Sequence, residues 1–175
     1  MSDSPPILAV VIISYNTRQM TLECLRTLYA DLDGLSAEVF VVDNGSTDGS
    51  PDAIAAEFPQ VRLIANPRNV GFGAANNQAM AASRARYFML LNSDAFVRPG
   101  AVRTLVQHLD ANPQTGVVGP RLLNKDESLQ PSCYRFTTPA RAWFENLWLA
   151  TLLPNHPTIG DYRRWPHDQQ RQVDW

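Results

Sequence analysis

The sequence predicts an α/β fold, a mostly parallel sheet flanked by helices. Three observations predict it. Short apolar runs alternate with amphipathic stretches over the first 125 residues, the imprint of a strand–helix–strand chain. Two runs, ILAVVIIS and RYFMLLNSD, are apolar at consecutive positions, as strands covered on both faces are. Polar or glycine-rich clusters follow the first four runs, where a parallel sheet places its loops.

The elements follow in order. Ile7–Ser14 reads as a central strand. Met20, Cys24, Leu25, Leu28, Tyr29 and Leu32 then recur at helical spacing, with Thr17 as N-cap and Gly34 at the stop. Glu38–Asp43 is the second strand, and Ser50-Pro51 opens a helix with Ile54 and Phe58 inward. Val61–Asn66 is the third strand. A loop with Gly71 and Gly73 leads into the small-residue helix AANNQAMAAS. Arg86–Asp94 is the fourth strand, and Pro99-Gly100 opens a helix carrying Val102, Leu105, Val106 and Leu109. Gly116–Leu123 reads as a fifth strand. Repeated in this way, the units predict parallel strands joined by right-handed crossovers. Beyond Lys125 the period fades. Pro139–Pro154 reads as a helix with Trp143, Phe144, Leu147 and Trp148 on one side, and Val173-Asp174-Trp175 as the start of a strand.

The bulk numbers narrow the classes. At 175 residues the chain can bury a sizeable core, and 45% hydrophobic with 18% charged residues is a globular composition. A formal net charge of -2 gives no basic face for nucleic acid. Cys24 and Cys133 lack metal-ligand spacing and are read as reduced thiols of a cytosolic protein. The start MSDSPP has no basic n-region, and Ile7–Ile13 is too short to span a bilayer. His108 reads as a partly exposed helical residue, and no paired acid supports His156 or His167.

Ligands of such sheets bind at the carboxyl ends of the strands. The loops there read Ser14-Tyr15-Asn16-Thr17, then Asp43-Asn44-Gly45-Ser46-Thr47-Asp48-Gly49-Ser50, then Asn66-Pro67-Arg68-Asn69-Val70-Gly71-Phe72-Gly73, then Asn92-Ser93-Asp94. All four therefore converge on one edge.

This constellation resembles the family-two inverting glycosyltransferases of the GT-A fold, a Rossmann-like nucleotide-sugar-binding fold, over residues 6–125. VVIISYN, VVDNGSTDGS, NVGFGAANNQAM and LLNSDAFV carry the resemblance. LNSD and NVGFGAANN look closest to its bacterial rhamnosyltransferase-like branch. The resemblance implies transfer, with inversion, of a sugar from a nucleotide-diphosphate donor such as dTDP-rhamnose to a cell-surface glycan or lipid-linked acceptor. It implies Mg²⁺ or Mn²⁺, a cytoplasmic place at the inner face of the bacterial plasma membrane with peripheral attachment, and room for a homodimer. Residues 1–125 would form the nucleotide-sugar-binding part and 126–175 the start of an acceptor part.

Residue roles follow. Asp43, ending the second strand, suits the N–H of a nucleotide base, and Tyr15 offers it a flat apolar contact. A turn-forming role for Asp43 stays open. Ser14, Asn16, Asn44, Arg68, Asn69, Gly71 and Asn76 are expected along the nucleotide sugar, with Asn77 nearby. Gly71 and Gly73 are expected to allow close backbone approach, a turn with close helix–sheet packing being the other reading. Asp48 reads as loop geometry. Asp94 is the expected ligand of the divalent cation, a hard oxygen at a strand end. The family's first aspartate is here Asn92, which can hydrogen-bond a ribose but brings no charge; Ser93 lies between the two.

Inversion needs a general base. Asp126, Glu127, Glu145, Asp161 and Asp168 stand in no recognisable base motif, so the base is expected beyond Trp175 and this chain is expected to transfer sugar weakly or not at all. A non-catalytic nucleotide-binding module and a nucleotidyltransferase are the alternatives. A dinucleotide oxidoreductase is disfavoured, because SYNTRQM stands where its glycine fingerprint belongs.

Overall fold

A computed structural model of the chain describes residues 5–130, 132, 138–148 and 152–153. The chain divides into two compact units, Met1–Val118 and Gly119–Trp175.

The first unit contains β1 (Leu8–Ser14), α1 (Arg18–Asp31), β2 (Ala37–Asp43), α2 (Ser50–Glu57), β3 (Arg62–Ala65), α3 (Phe72–Ala81), β4 (Tyr87–Asn92) and α4 (Ala101–Ala111). The sheet order is β3-β2-β1-β4, and every pairing is parallel. The chain therefore winds outward from β1 through β2 to β3, then returns to the other side of β1 for β4. That reversal opens a crevice between the carboxyl ends of β1 and β4. The register lines up the ends: Ser14 lies opposite Asp43, Ile13 opposite Asn92, and Asp43 opposite Ala65.

Both faces of β1 are covered. Leu8, Val10 and Ile12 join Val39 and Val41 of β2 in a core closed by Leu22, Leu25 and Leu28 of α1, Ile54 of α2, and Val102 and Val106 of α4. Ala9 and Val11 face the other way, with Phe40, Val42 and the alanines Ala75 and Ala79 of α3. Small residues on α3 let it lie close to the sheet. Each fully buried aliphatic side chain contributes about 1.5–3 kcal/mol over its exposed state, and strands and helices share that contribution. β4 is different. Met89 and Leu91 pack into the first core, but Phe88 and Leu90 on its other face are 38% and 53% exposed, against the expectation of a strand apolar and covered on both sides.

Helix starts are capped from a distance. Thr17 is the N-cap residue of α1, yet its side chain makes no cap bond. Instead Asp48 accepts the N–H of Arg18 at 3.0 Å and that of Ser50 at 3.0 Å, so one carboxylate serves the first turns of α1 and α2. The hydroxyl of Ser50, then the backbone donors, hold Asp48 below the usual aspartate range. Asp31 likewise accepts the N–H of Gly100 and, at 2.8 Å, of Val102 at the start of α4. Met20 turns outward, and Thr21 takes the buried place on that face of α1. α1 ends at Asp31, before Gly34, and α2 begins at Ser50 with Gly49 as its N-cap.

The fifth strand expected over Gly116–Leu123 does not form; its one ladder contact is an isolated antiparallel bridge, Leu123 to Leu129. Two glycines and Pro120 within eight residues weaken a strand and remove a ladder donor.

In the second unit, the turn 124–128 is held by Asn124 and Ser128 around the Asp126 carboxylate, which accepts the N–H of Ser128 at 3.1 Å. α5 (Pro139–Asn146) is shorter than the helix expected to Pro154. Trp143 and Trp148 are 67% and 75% exposed. Cys133, His156, Asp161, His167, Asp168 and Val173–Trp175 lie outside the described residues.

Candidate functional site

The four loops meet because the strands carrying them end in register. The loops after β1 and β2 are zipped together. The N–H of Asn16, a residue with φ of 54°, donates to the Ser46 hydroxyl at 2.9 Å. Its side-chain oxygen accepts the N–H of Thr47 at 2.9 Å. Tyr15 stands beside this seam, half exposed at the edge of the crevice.

The loops after β2 and β3 are joined by Asn44. Its amide donates to Asn69 Oδ1 at 2.9 Å, and its oxygen accepts the N–H of Val70 at 3.0 Å and the amide of Asn66 at 3.3 Å. Asn69 Oδ1 also accepts the N–H of Gly71. Asn44 and Asn69 are thus committed to each other, and they set the shape of the rim. Gly45 makes the seam possible. Its φ is 86°, and a Cβ there would stand 2.8 Å from the Arg68 Cα. Close backbone approach is therefore at Gly45. Gly71 and Gly73, expected to provide it, would have nothing within 4 Å of an added Cβ; Gly71 is required for its φ of 89° at the start of α3. The side chain of Arg68 lies exposed above the seam.

Asp43 sits beneath this rim at 1% exposure. Its Oδ1 accepts the N–H of Ser46 at 2.9 Å and that of Gly45 at 3.2 Å. Its Oδ2 is buried without a hydrogen-bond partner. An unmatched buried acceptor costs on the order of 1–3 kcal/mol, more when charged, so it marks a place where a donor group is due. Asn76 is the one comparable case among the described residues: its amide donates to the Phe72 carbonyl at 2.9 Å, and its oxygen is buried and unmatched. Asn77 is exposed.

Across the crevice, Asn92 and Asp94 are exposed and Ser93 is half-buried. Ser14 is fully buried, and its hydroxyl lies 3.3 Å from that of Thr17 and 3.2 Å from that of Thr21. Thr17 donates to the Ser93 hydroxyl at 3.2 Å. Beneath them the thiol of Cys24 lies 3.6 Å from the Asn92 carbonyl. Burial, and secondarily the charge of Asp94, pushes that thiol up to about 12. Among the described residues no three carboxylate, imidazole or thiol groups converge. The donor set after β4 is one exposed carboxylate, Asp94, two residues beyond the exposed Asn92. That fits a cation sharing its shell with ligand phosphates, and does not fit an all-protein cage.

Sequence reasoning missed the hydroxyl row of α1 and the joint service of Asp48. Both depend on partners 30 or more residues away. The spacing of Thr17, Thr21 and Cys24, three or four residues apart, was the available signal for the row.

The glycosyl transferase family 2 model matches residues 9–163. The chain is 37% identical over 110 residues to the succinoglycan biosynthesis protein ExoO of Rhizobium meliloti, covering 62% of this chain and 31% of that protein. It is 30% identical over 149 residues to an N-acetylglucosaminyl-diphospho-decaprenol L-rhamnosyltransferase of Mycobacterium tuberculosis, covering 78% of this chain and 48% of that protein. The chain thus spans about a third to a half of these relatives' length. Among solved structures, the mannosyltransferase PcManGT from Pyrobaculum calidifontis in complex with GDP-Man and Mn²⁺ aligns with a TM-score of 0.58 at 27% identity, covering 65% of this chain and 35% of that one. Staphylococcus aureus TarS in complex with UDP-GlcNAc aligns with a TM-score of 0.54 at 21% identity, covering 67% and 38%, a likeness of fold. The parallel sheet and these neighbours give the GT-A fold.

Proposed function

We propose a function that proceeds from one premise: the chain belongs to glycosyl transferase family 2. In this reading it binds a nucleoside-diphosphate sugar at the carboxyl edge of the sheet, as the donor-binding part of an inverting transferase.

The observation that supports the reading most is the unmatched, buried Oδ2 of Asp43 beneath the loop seam. A base N–H supplies the donor that oxygen lacks, while Ser46 and Gly45 hold the other oxygen in place. Tyr15 offers its exposed ring to the base. Asn92, Ser93 and Asp94 lie across the crevice, toward the ribose and the diphosphate. Asp94 would hold a divalent cation, Mg²⁺ or Mn²⁺, with the Asn92 amide beside it; when bound, the cation neutralises the diphosphate as the anomeric bond weakens. The Mn²⁺ and GDP-Man in the PcManGT complex support that assignment.

Transfer forms the bond from the acceptor oxygen to the anomeric carbon as the bond to the diphosphate breaks on the opposite face, which inverts that carbon. The acceptor proton passes to a general base. The mycobacterial relative's name supports a rhamnose donor and a lipid-linked acceptor; the donor in this reading is a nucleotide sugar such as dTDP-rhamnose. An acceptor of that kind would place the protein at the inner face of a plasma membrane, peripherally attached. No described helix is long and apolar enough to cross a membrane.

Calorimetry of the chain with UDP, dTDP, GDP and NAD, each with Mn²⁺ and with chelator, tests the reading. It predicts metal-strengthened binding of a nucleoside diphosphate, lost in Asp94→Ala. Binding of NAD in preference, or of no diphosphate at all, contradicts it.

A further inference from the structure

The buried face of α1 turns one row of small polar groups toward the loop that follows β4. The row is Thr17, Thr21, Cys24 and Thr27, three or four residues apart and so stacked along one side of the helix. Each end of it grips the loop. The Thr17 hydroxyl donates to the Ser93 hydroxyl at 3.2 Å. The Cys24 thiol points to the carbonyl of Asn92 at 3.6 Å. The Thr27 hydroxyl accepts the N–H of Val97 at 3.1 Å, and itself donates to the Cys24 carbonyl at 2.9 Å. Thr21, fully buried, anchors the row: it donates to the Thr17 carbonyl at 2.9 Å and meets the buried Ser14 hydroxyl at 3.2 Å. The loop adds its own turn, the N–H of Ala95 on the Asn92 carbonyl at 3.1 Å.

The loop is thus pinned at residues 92, 93 and 97, on both sides of Asp94. The Asp94 carboxylate is drawn into none of these bonds and stays exposed. A row of leucines would have filled the same face with more buried apolar area. Hydroxyls and a thiol instead satisfy backbone and side-chain groups of a segment about 70 residues away in the chain.

We propose that this row is a positioning device: Thr17, Cys24 and Thr27 hold the 92–97 loop so that the Asp94 carboxylate is pre-set toward the donor's divalent cation. The inference rests on the reading of Asp94 given above. A carboxylate on a free loop must lose backbone and side-chain freedom when it takes a cation. A pinned loop has lost that freedom on folding, so the cation binds more tightly. Thr17, Cys24 and Thr27 are positioning residues and touch neither cation nor donor.

The test compares the chain with Thr17→Val, Thr27→Val, Thr27→Ser and Asp94→Ala. For each, dissociation constants for UDP, GDP and dTDP are measured with Mn²⁺ and with chelator, and amide exchange is followed at Asp94, Ala95 and Val97. The device predicts that the two valine variants lose roughly tenfold of the Mn²⁺-dependent gain in affinity. Their chelator values stay unchanged, and exchange quickens at Ala95 and Val97. Thr27→Ser, which keeps the acceptor for Val97, restores both. If the valine variants keep the full Mn²⁺ gain while Asp94→Ala loses it, the positioning role is wrong and the reading of Asp94 stands. If weakening is equal with and without Mn²⁺, the row is merely structural and the proposal is overturned. If the unaltered chain shows no Mn²⁺ gain with any of the three diphosphates, the reading of Asp94 falls and takes the device with it.

Discussion

Asp43 and Ser46 are joined by a hydrogen bond of 2.9 Å, from the Ser46 N–H to Oδ1, that fixes a buried carboxylate in place while its second oxygen goes unmatched. An Asp43→Asn variant separates the two oxygens. The amide oxygen can still accept from Ser46 and Gly45, but an NH₂ replaces the unmatched acceptor. The fold should be little changed in a thermal melt, since Ser46 and Gly45 keep their acceptor. Affinity for the preferred nucleoside diphosphate should fall roughly tenfold or more. Unchanged affinity would remove Asp43 from the site.

Asn44 answers a different question, what holds the rim. Asn44→Ala strips partners from Asn69, Val70 and Asn66. Urea unfolding should show a loss of about 1–3 kcal/mol. A change within error would mean that the loops after β2 and β3 do not depend on their cross-link.

Gly45 and Gly49 form a matched pair with φ of 86° and 75°. Alanine at either is strained by about 1–2 kcal/mol. At Gly49 the added Cβ meets only the end of Arg18 at 3.6 Å, whereas at Gly45 it meets the Arg68 backbone at 2.8 Å. Gly45→Ala should therefore cost roughly 1–3 kcal/mol more than Gly49→Ala, and it should also weaken nucleotide binding by lifting the rim. Equal losses would show that the two loops do not meet as described.

These variants also show what was legible in the sequence. The ends of β1 and β2 were legible, because consecutive apolar residues terminate abruptly at Ser14 and Asp43, and parallel packing puts such ends on one edge; the fourth strand, expected to Asp94, stops at Asn92. The burial of Asp43 was not, because it comes from a rim built by Asn44, Gly45 and Asn69 with residues from another loop. Gly71 looked crowded from its neighbours in sequence, yet crowding is a property of what crosses in space, and the crossing is at Gly45. The run Gly116–Leu123 was misread as a strand on apolar content alone. Its glycines and Pro120 carried the opposite signal.

Cys24 gives a prediction in pH. Its thiol is fully buried and pushed up to about 12 from an ordinary 9.0, chiefly by burial. The folded state therefore keeps the proton more tightly than the unfolded state. Stability is unaffected below pH 9 and falls as pH rises from there toward 12. At pH 8, peptide mapping after iodoacetamide should find Cys24 unmodified in the native chain and modified in denaturant. Rapid native alkylation would contradict the packing of α1 against the end of β4.

The central claim is that the donor lies in the crevice between β1 and β4, with its base at Asp43 and its diphosphate at Asp94. Paramagnetic broadening tests this most directly. Mn²⁺ added to the isotope-labelled chain with the nucleoside diphosphate it prefers should broaden the amide signals of Ser93, Asp94 and Ala95 first. The diamagnetic Mg²⁺ complex should shift Gly45 and Ser46. Broadening centred elsewhere, or Gly45 and Ser46 left unmoved, would contradict it.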